Sequence, residues 1–365
     1  MDGHITRLME YMVDANASDM YITPGVPIML RVKDDLKPLD AYGVMSGETV
    51  NRIVEAILNE RQLLEFRTFH EMNMSFGLYG LGRFRVNVLQ QRQVPTLVIR
   101  AIKKDIPAFE TLGLPMNIRD TVMNKRGIII LCGMTGSGKS TTLASMLDYR
   151  NATTTGNIIT IEDPVEYLYE HKKSLVIQRE VGIDTESYHV ALKNAFRQKP
   201  DVILIGEIRD RPVMEQALVA AETGHLCLST IHANNTYQAI ERIMNFFDET
   251  QMSQARMNLA MNLKAIIAQR LVIGKDGEHV LVYEIMLNEG YIRELILKGE
   301  TNKIREVIAQ NSGNGMITFD QCLQKLYEEG KISDEVAIAE SDSPVNMELL
   351  IRKLKIAGSF APQKA

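Results

Sequence analysis

Residues 133–140 read Gly133-Met134-Thr135-Gly136-Ser137-Gly138-Lys139-Ser140, which satisfies G-x-x-x-x-G-K-[ST] at every fixed position. The chemistry open to this spacing is the cradling of a phosphate chain. Gly133, Gly136 and Gly138 let the backbone turn so that successive N–H groups point inward, and Lys139 brings a mobile cation to the terminal phosphates. Ser140 offers a hydroxyl to Mg²⁺, while Thr135, Ser137 and Thr141 complete the loop and the first turn behind it. The motif requires a strand before it and a helix after it. An apolar run at 128–131 meets the first need. Residues 140–149 are expected to form the helix, its positive end facing the same anion. The ligand this predicts is a nucleoside triphosphate with Mg²⁺.

Three further stretches place polar groups at the ends of apolar, strand-like runs, where open parallel sheets bind ligands. After 158–161 comes Glu162-Asp163-Pro164-Val165-Glu166; three carboxylates in five residues suit either Mg²⁺ or removal of a proton from the attacking water. The run Val202-Ile203-Leu204-Ile205-Gly206-Glu207 ends in an acid, the Walker B pattern with Glu207 in the acidic position and as a further Mg²⁺ candidate. The third, at 226–231, ends in His232, placed to donate a hydrogen bond to a γ-phosphate, with His225 just before the same strand. Asp210 suits the cap of the helix that Pro212 begins.

The elements around these residues fall into two parts, as 365 residues exceed one ordinary core. From residue 127 onward, strand candidates at 128–131, 158–161, 175–178, 202–205 and 226–231 alternate with helices, the pattern of a parallel sheet covered on both faces. The N-terminal part opens with Ile5, Leu8, Met9, Met12 and Val13 on one helical stripe. Short strands at 20–22 and 28–32 precede a helix expected over 48–66 with Ser46 as its cap. The period then changes to two: Met72, Met74, Phe76 and Leu78, then Phe84, Val86 and Val88, alternate with polar or small residues, which predicts an antiparallel half-buried sheet. That alternation sets Arg83 and Arg85 side by side on the face away from the core, with Arg100 closing a strand at 96–99. These arginines are either a solvated face or the cations that reach the triphosphate of a neighbouring subunit. Residues 104–116 are the expected linker between a domain over 1–103 and one over 117–365, the latter with a helical region over about 300–358, where Thr318 and Gln321 suit a capping box. The end of the chain, 359–365, is expected to be disordered.

A net charge of −5 and a pI near 5.9 disfavour a nucleic-acid partner, and no interleaving of aromatic and basic residues suggests single-strand binding. Cys132, Cys227 and Cys322 form no C-x-x-C pair, which points to a reducing compartment and away from a thiolate zinc site. With no apolar segment approaching about 18 residues and no signal-peptide pattern at Met1-Asp2-Gly3-His4, a cytoplasmic location is expected, with any membrane association made through a partner.

At this point a resemblance becomes specific. Thr160-Ile161-Glu162-Asp163-Pro164-Val165-Glu166-Tyr167, Gly206-Glu207-Ile208-Arg209-Asp210 and Glu222-Thr223-Gly224-His225 through His232 resemble the Asp box, Walker B and His box of the secretion ATPase superfamily, most of all its PilT/PilU branch of type IV pilus retraction ATPases. Ala17-Ser18-Asp19 resembles the opening of that family's N-terminal domain. The resemblance implies an α/β chain: a PAS-like α+β N-terminal domain followed by a RecA-like P-loop ATPase domain with C-terminal helices. It further implies a homo-hexamer with ATP held between domains of different subunits, and roles for Lys139, Glu166, Glu207, His225 and His232, with Glu166 activating water. The implied work is pilus retraction, carried out at the pilus base on the inner membrane and with an inner-membrane platform protein of the PilC type as partner. Two features look more like the PilU side and imply a PilT-type ATPase as a second partner. Tyr291-Ile292-Arg293-Glu294-Leu295-Ile296 keeps four of the six residues of the retraction motif Ala-Ile-Arg-Asn-Leu-Ile, and the chain runs on past a PilT-like end. A self-sufficient PilT-like motor and a nucleotide-dependent scaffold for a partner ring are the competing readings.

Overall fold

The computed structural model describes residues 3–33, 35–102 and 105–359. Met1, Asp2, Asp34, Lys103, Lys104 at the start of the expected linker, and the tail from 360 onward lie outside the described residues. The chain is a mixed α/β protein with two compact units, Met1–Asp105 with Glu166–Leu168, and Ile106–Val165 with Tyr169–Ala365.

The first unit holds six strands: β1 (Asp19–Ile22), β2 (Pro27–Val32), β3 (Asp35–Val44), β4 (Glu71–Leu78), β5 (Gly82–Gln91) and β6 (Val94–Ile102). They lie in the order β3-β2-β1-β6-β5-β4, with every neighbouring pair antiparallel. The period-two pattern does what alternation in a half-buried sheet must: Met72, Met74 and Phe76, then Phe84, Val86 and Val88, are buried. Ile5, Leu8, Met9 and Met12 of the helix Gly3–Asp14 join the same core. The single helix expected over 48–66 is instead two, Gly47–Ile57 and Glu60–Phe69. Leu58 turns to extended backbone, and Asn59 caps the second helix in a full capping box with Gln62. A local Asn-x-x-Gln cap thus starts a new helix within the span expected to be one. Ser46 caps the first of the two through Thr49 N. β3 carries no apolar alternation, being an exposed strand along most of its length.

The second unit is built on β7 (Gly127–Cys132), β8 (Asn157–Glu162), β9 (Leu175–Glu180), β10 (Val202–Ile205), β11 (Leu226–Ile231), β12 (Leu263–Ile273) and β13 (His279–Leu287). Their order is β13-β12-β7-β11-β10-β8-β9, parallel from β12 to β9. All six residues of β7, all six of β11 and all four of β10 are buried, so these strands are apolar without alternation, as strands covered on both faces must be. The sheet departs from an all-parallel reading at one edge, where β12 and β13 form an antiparallel pair. Phe109 and Leu114, inside the stretch read as linker, are buried in this unit's core. Beyond the sheet lie the helices Tyr291–Lys298, Ile304–Gln310, Phe319–Glu328, Asp334–Ala339 and Pro344–Ser359. Thr318 and Gln321 form the expected capping box on the third of them.

Candidate functional site

The phosphate loop leaves the buried end of β7 and enters the helix Lys139–Thr153. Its shape depends on glycine at a position of close approach. A Cβ on Gly133 would stand 2.4 Å from Gln269 O and 2.5 Å from Ser137 Oγ, and Gly133, Gly136 and Gly138 all have positive φ. Gln269, on β12, also donates from Nε2 to Thr142 Oγ1 at 2.8 Å, tying the helix's first turn to the neighbouring strand. Lys139 is buried to 8% exposure, its Nζ donating to Gly133 O at 3.0 Å and Met134 O at 2.7 Å. Ser137 Oγ is buried with no hydrogen-bond partner among the described residues. A tight backbone cradle, a buried cation folded onto its rim and an orphaned buried hydroxyl fit a phosphate chain. Thr135 is exposed, and Ser140 and Thr141 are half-buried at the helix start. In front of the loop a cleft of about 710 Å³ runs past Asn234, Tyr237 and Arg270 toward Arg305 and Asp342.

Two strands from β7, β10 delivers Glu207. Its Oε2 accepts from Arg209 Nε at 2.7 Å, and its Oε1 lies 3.1 Å from His232 Nε2, which follows β11. An ionised carboxylate has no proton to give, so this contact places the imidazole proton on Nε2. The sheet order explains the meeting: β10 and β11 are parallel neighbours, paired Ile205 to Ser229, so the residues just past their ends converge. Arg209 also reaches Asp163 Oδ2 at 3.8 Å, and its hydrogen bond to Glu207 raises its pKa. Tyr188 stands beside this group; burial foremost, then Asp163, pushes its phenol well above the usual tyrosine range. Asp210 caps the next helix through Val213 N, as expected.

The remaining residues singled out in the sequence are not all brought here. Glu162 is buried, its Oε1 accepting from Thr160 Oγ1 at 2.6 Å and from Gln178 Nε2 at 3.3 Å, so that oxygen is committed to its own sheet. Of the other groups expected to hold Mg²⁺, Ser140 is half-buried at the start of the helix behind the loop, Asp163 is exposed, and both oxygens of Glu207 are engaged by Arg209 and His232. Among the described residues no group of three or more His, Cys, Asp or Glu is arranged to hold a metal. His225 stands apart. It precedes β11 at the sheet's opposite end, about 20 Å of strand from His232 at roughly 3.3 Å per residue. There its Nδ1 contacts Ala220 O at 3.0 Å and Thr223 Oγ1 at 3.1 Å, and Phe196 meets its ring edge-on. Just before the strand, as expected from the sequence, this histidine closes a helix end and lies away from Glu207 and His232.

Glu166 is exposed and groups with the first unit. The three arginines share one face of that unit's sheet: Arg85 pairs directly across from Arg100, and Arg83 lies two residues along β5. Arg83 donates to Ser75 Oγ through Nε and Nη2, and Arg100 Nε donates to the buried Asp19 at 2.7 Å. Arg31 stands across from Asp19 on the other side, so Arg85, Arg100 and Arg31 form one row around a single carboxylate.

Sequence reasoning left several contributors unassigned. Arg209 lies two residues past Glu207, a spacing that returns to the same side of an extended segment. Glu284 is a lone acid in the apolar run of β13. Its buried Oε1 accepts from Thr236 N and Oγ1 at 2.9 and 2.7 Å, anchoring the helix that follows His232. Burial raises its pKa, against the lowering effect of the Thr236 hydrogen bonds. Tyr188 and Gln269 bear no local signal.

The family described as Type II/IV secretion system protein matches residues 2–279. The chain is 45% identical over 347 residues to the type IV pilus ATPase PilU of Pseudomonas aeruginosa, covering 95% of this chain and 91% of that one. It is 37% identical over 342 residues to the type IV pilus retraction ATPase PilT of the same organism, covering 94% and 99%. Among solved structures it resembles the pilus retraction motor PilT with bound ADP, at a TM-score of 0.88 and 39% identity over 94% of this chain and 98% of that one. The Legionella pneumophila ATPase DotB follows at a TM-score of 0.80 and 25% identity over 97% and 95%.

Proposed function

The chain belongs to the Type II/IV secretion system protein family and is an ATPase, and on that premise we propose that it hydrolyses ATP to drive or assist retraction of type IV pili, as a PilT-dependent accessory motor. The observation that carries the proposal is the Glu207 carboxylate held between Arg209 Nε and His232 Nε2 in the same sheet as the phosphate loop. A protein that only stabilised a partner ring would have no use for an oriented acid beside its nucleotide. Stronger identity to PilU than to PilT supports the accessory role, with the self-sufficient motor as the competing reading.

In this reading the amides of 133–138 and Lys139 bind the β- and γ-phosphates. Ser140 and Glu207 would hold Mg²⁺, which would supply charge neutralisation to the triphosphate. Glu166 takes a proton from water as its oxygen attacks the γ-phosphorus and the bond to the β-phosphate oxygen breaks. His232 has one Nε2 proton to give, so a γ-phosphate that accepts it frees Glu207 from that contact, and loss of the phosphate restores it. Arg83, Arg85 and Arg100 serve the nucleotide of another subunit in a hexamer, where a trans arginine is worth about 10³- to 10⁵-fold in rate. The PAS-like and RecA-like assignments of the two units, and a PilC-type platform protein at the inner membrane, belong to the same proposal. The test is ATPase turnover of the purified protein alone and with a PilT-type ATPase. Stimulation of at least several-fold by the partner is expected; full turnover alone, unchanged by the partner, refutes the accessory role.

A further inference from the structure

Tyr188 opens the helix Tyr188–Ala195, whose start is capped by Ser187 Oγ accepting from Val190 N at 3.2 Å. Its side chain reaches to the ends of β8 and β10. The phenolic oxygen lies 2.9 Å from the point where a Cβ on Gly206 would stand, and that point is 3.2 Å from Glu162 Cα and 3.4 Å from Ile161 O. Gly206 is not among the glycines with positive φ, so its backbone gives no reason for glycine. The crowding does: an alanine methyl and the Tyr188 hydroxyl contend for one place.

The peptide that the hydroxyl covers is the one leading into Glu207. Gly206 N donates to Ile161 O at 2.8 Å, and Gly206 O accepts from Thr230 Oγ1 at 2.7 Å. On the far side of Glu207, Ile208 N donates to Thr230 O at 2.9 Å. Both flanks of the acid are thus pinned to β11, and Tyr188 closes the side left open by Gly206. The charged groups around the phenol are Asp163, Arg209, Glu162 and Glu207, the last of which Arg209 and His232 orient.

We propose that Tyr188 is a positioning residue for hydrolysis: its hydroxyl fills the space over Gly206 and fixes the direction in which Glu207 leaves β10. The inference rests on the role given above to Glu207. It differs from a purely structural role because the ring alone, retained in phenylalanine, would serve for packing, whereas the hydroxyl is what meets Gly206.

The test is a cycle of Tyr188→Phe, Gly206→Ala and the double variant, with kcat and KM for ATP measured on the full chain and folding checked by thermal melting. Small misplacements of a catalytic group are costly, so Tyr188→Phe should lower kcat about 3- to 10-fold with KM held within about two-fold. Gly206→Ala should lower kcat about 10- to 100-fold, and adding Tyr188→Phe should return at least about three-fold of that loss, since removing the hydroxyl admits the methyl. Rescue stays partial because the contacts to Glu162 Cα and Ile161 O remain. Wild-type turnover in Tyr188→Phe, or a double variant no faster than Gly206→Ala, overturns the inference. If Gly206→Ala does not fold, the kcat and KM of Tyr188→Phe decide alone. Glu207→Gln measured alongside separates the two failures. Turnover in that variant overturns the role of Glu207 itself, whereas an inert Glu207→Gln with a wild-type Tyr188→Phe overturns only the role of the hydroxyl.

Discussion

Replacing Glu207 by glutamine tests the geometry most directly, because the amide copies the shape of the carboxylate and removes its charge. The substituted side chain would keep an oxygen for Arg209 Nε, which lies 2.7 Å from the native carboxylate. Its amide nitrogen could face His232 Nε2, 3.1 Å from the native Oε1, once the imidazole moves its proton to Nδ1. Both contacts therefore survive in form, and the nucleotide loop, which takes part in neither of them, is left as it was. What changes is electrostatic. A unit charge 4 Å from a cation is worth about 4 kcal/mol at an effective dielectric of 20 and about 1 kcal/mol in water. The Arg209 side chain is 59% exposed, so screening draws the value toward the lower figure. Stability should fall by roughly 1 kcal/mol or less. The rate should fall much further, by about 10² to 10³, equivalent to about 2.7 to 4 kcal/mol of transition-state energy, as when one electrostatic stabiliser is removed. The assay is single-turnover hydrolysis of radiolabelled ATP beside equilibrium binding of a fluorescent ATP analogue. Hydrolysis within about three-fold of wild type would refute the reasoning, and so would a binding loss as large as that from removing Lys139.

Lys139→Ala removes charge-assisted hydrogen bonds of about 1.5 to 3 kcal/mol, so nucleotide affinity in the same fluorescence titration should fall about 10- to 100-fold. For the arginine row, subunits carrying Arg83→Ala, Arg85→Ala or Arg100→Ala should regain ATPase activity when mixed with Lys139→Ala subunits, which keep their arginines. Absence of any rescue in mixed rings refutes action in trans. Glu284 has a folded-state pKa raised by burial, so its protonated form favours folding, and this contribution declines as pH rises from its unfolded value through the folded one. Glu284→Gln, neutral at every pH and still able to accept from Thr236, should therefore gain in melting temperature relative to wild type as pH rises from about 4 to about 8, approaching it at the acid end. A difference that stays constant with pH would show that Glu284 does not titrate.

The phosphate loop, the acid after β10 and the capped helix that begins beside Pro212 were legible in the sequence because each is local. A glycine pattern, an apolar run ending in Glu207 and an Asp three residues before an amide specify their own conformations from neighbours in the chain. The buried strands β7, β8, β10 and β11 were legible for a related reason, since a strand covered on both faces needs an unbroken apolar run. At Leu58 and Asn59 a capping box, local but not noticed in the sequence, divided the helix expected over 48–66. The rest depended on which strands lie side by side. His225 and His232 flank one strand and read alike in the chain, yet they stand at opposite ends of the sheet, because a strand separates its two ends by its full length. Tyr188, Gln269 and Glu284 gain their places from contacts with elements distant in the chain, which no periodicity encodes. Residue types alone pointed to a phosphate-binding loop and to an acid at the end of another strand of the same unit. Only the pairing of β10 with β11 decided that the acid, already held by its neighbour Arg209, also meets His232, since strand order brings the two strand ends within hydrogen-bond reach.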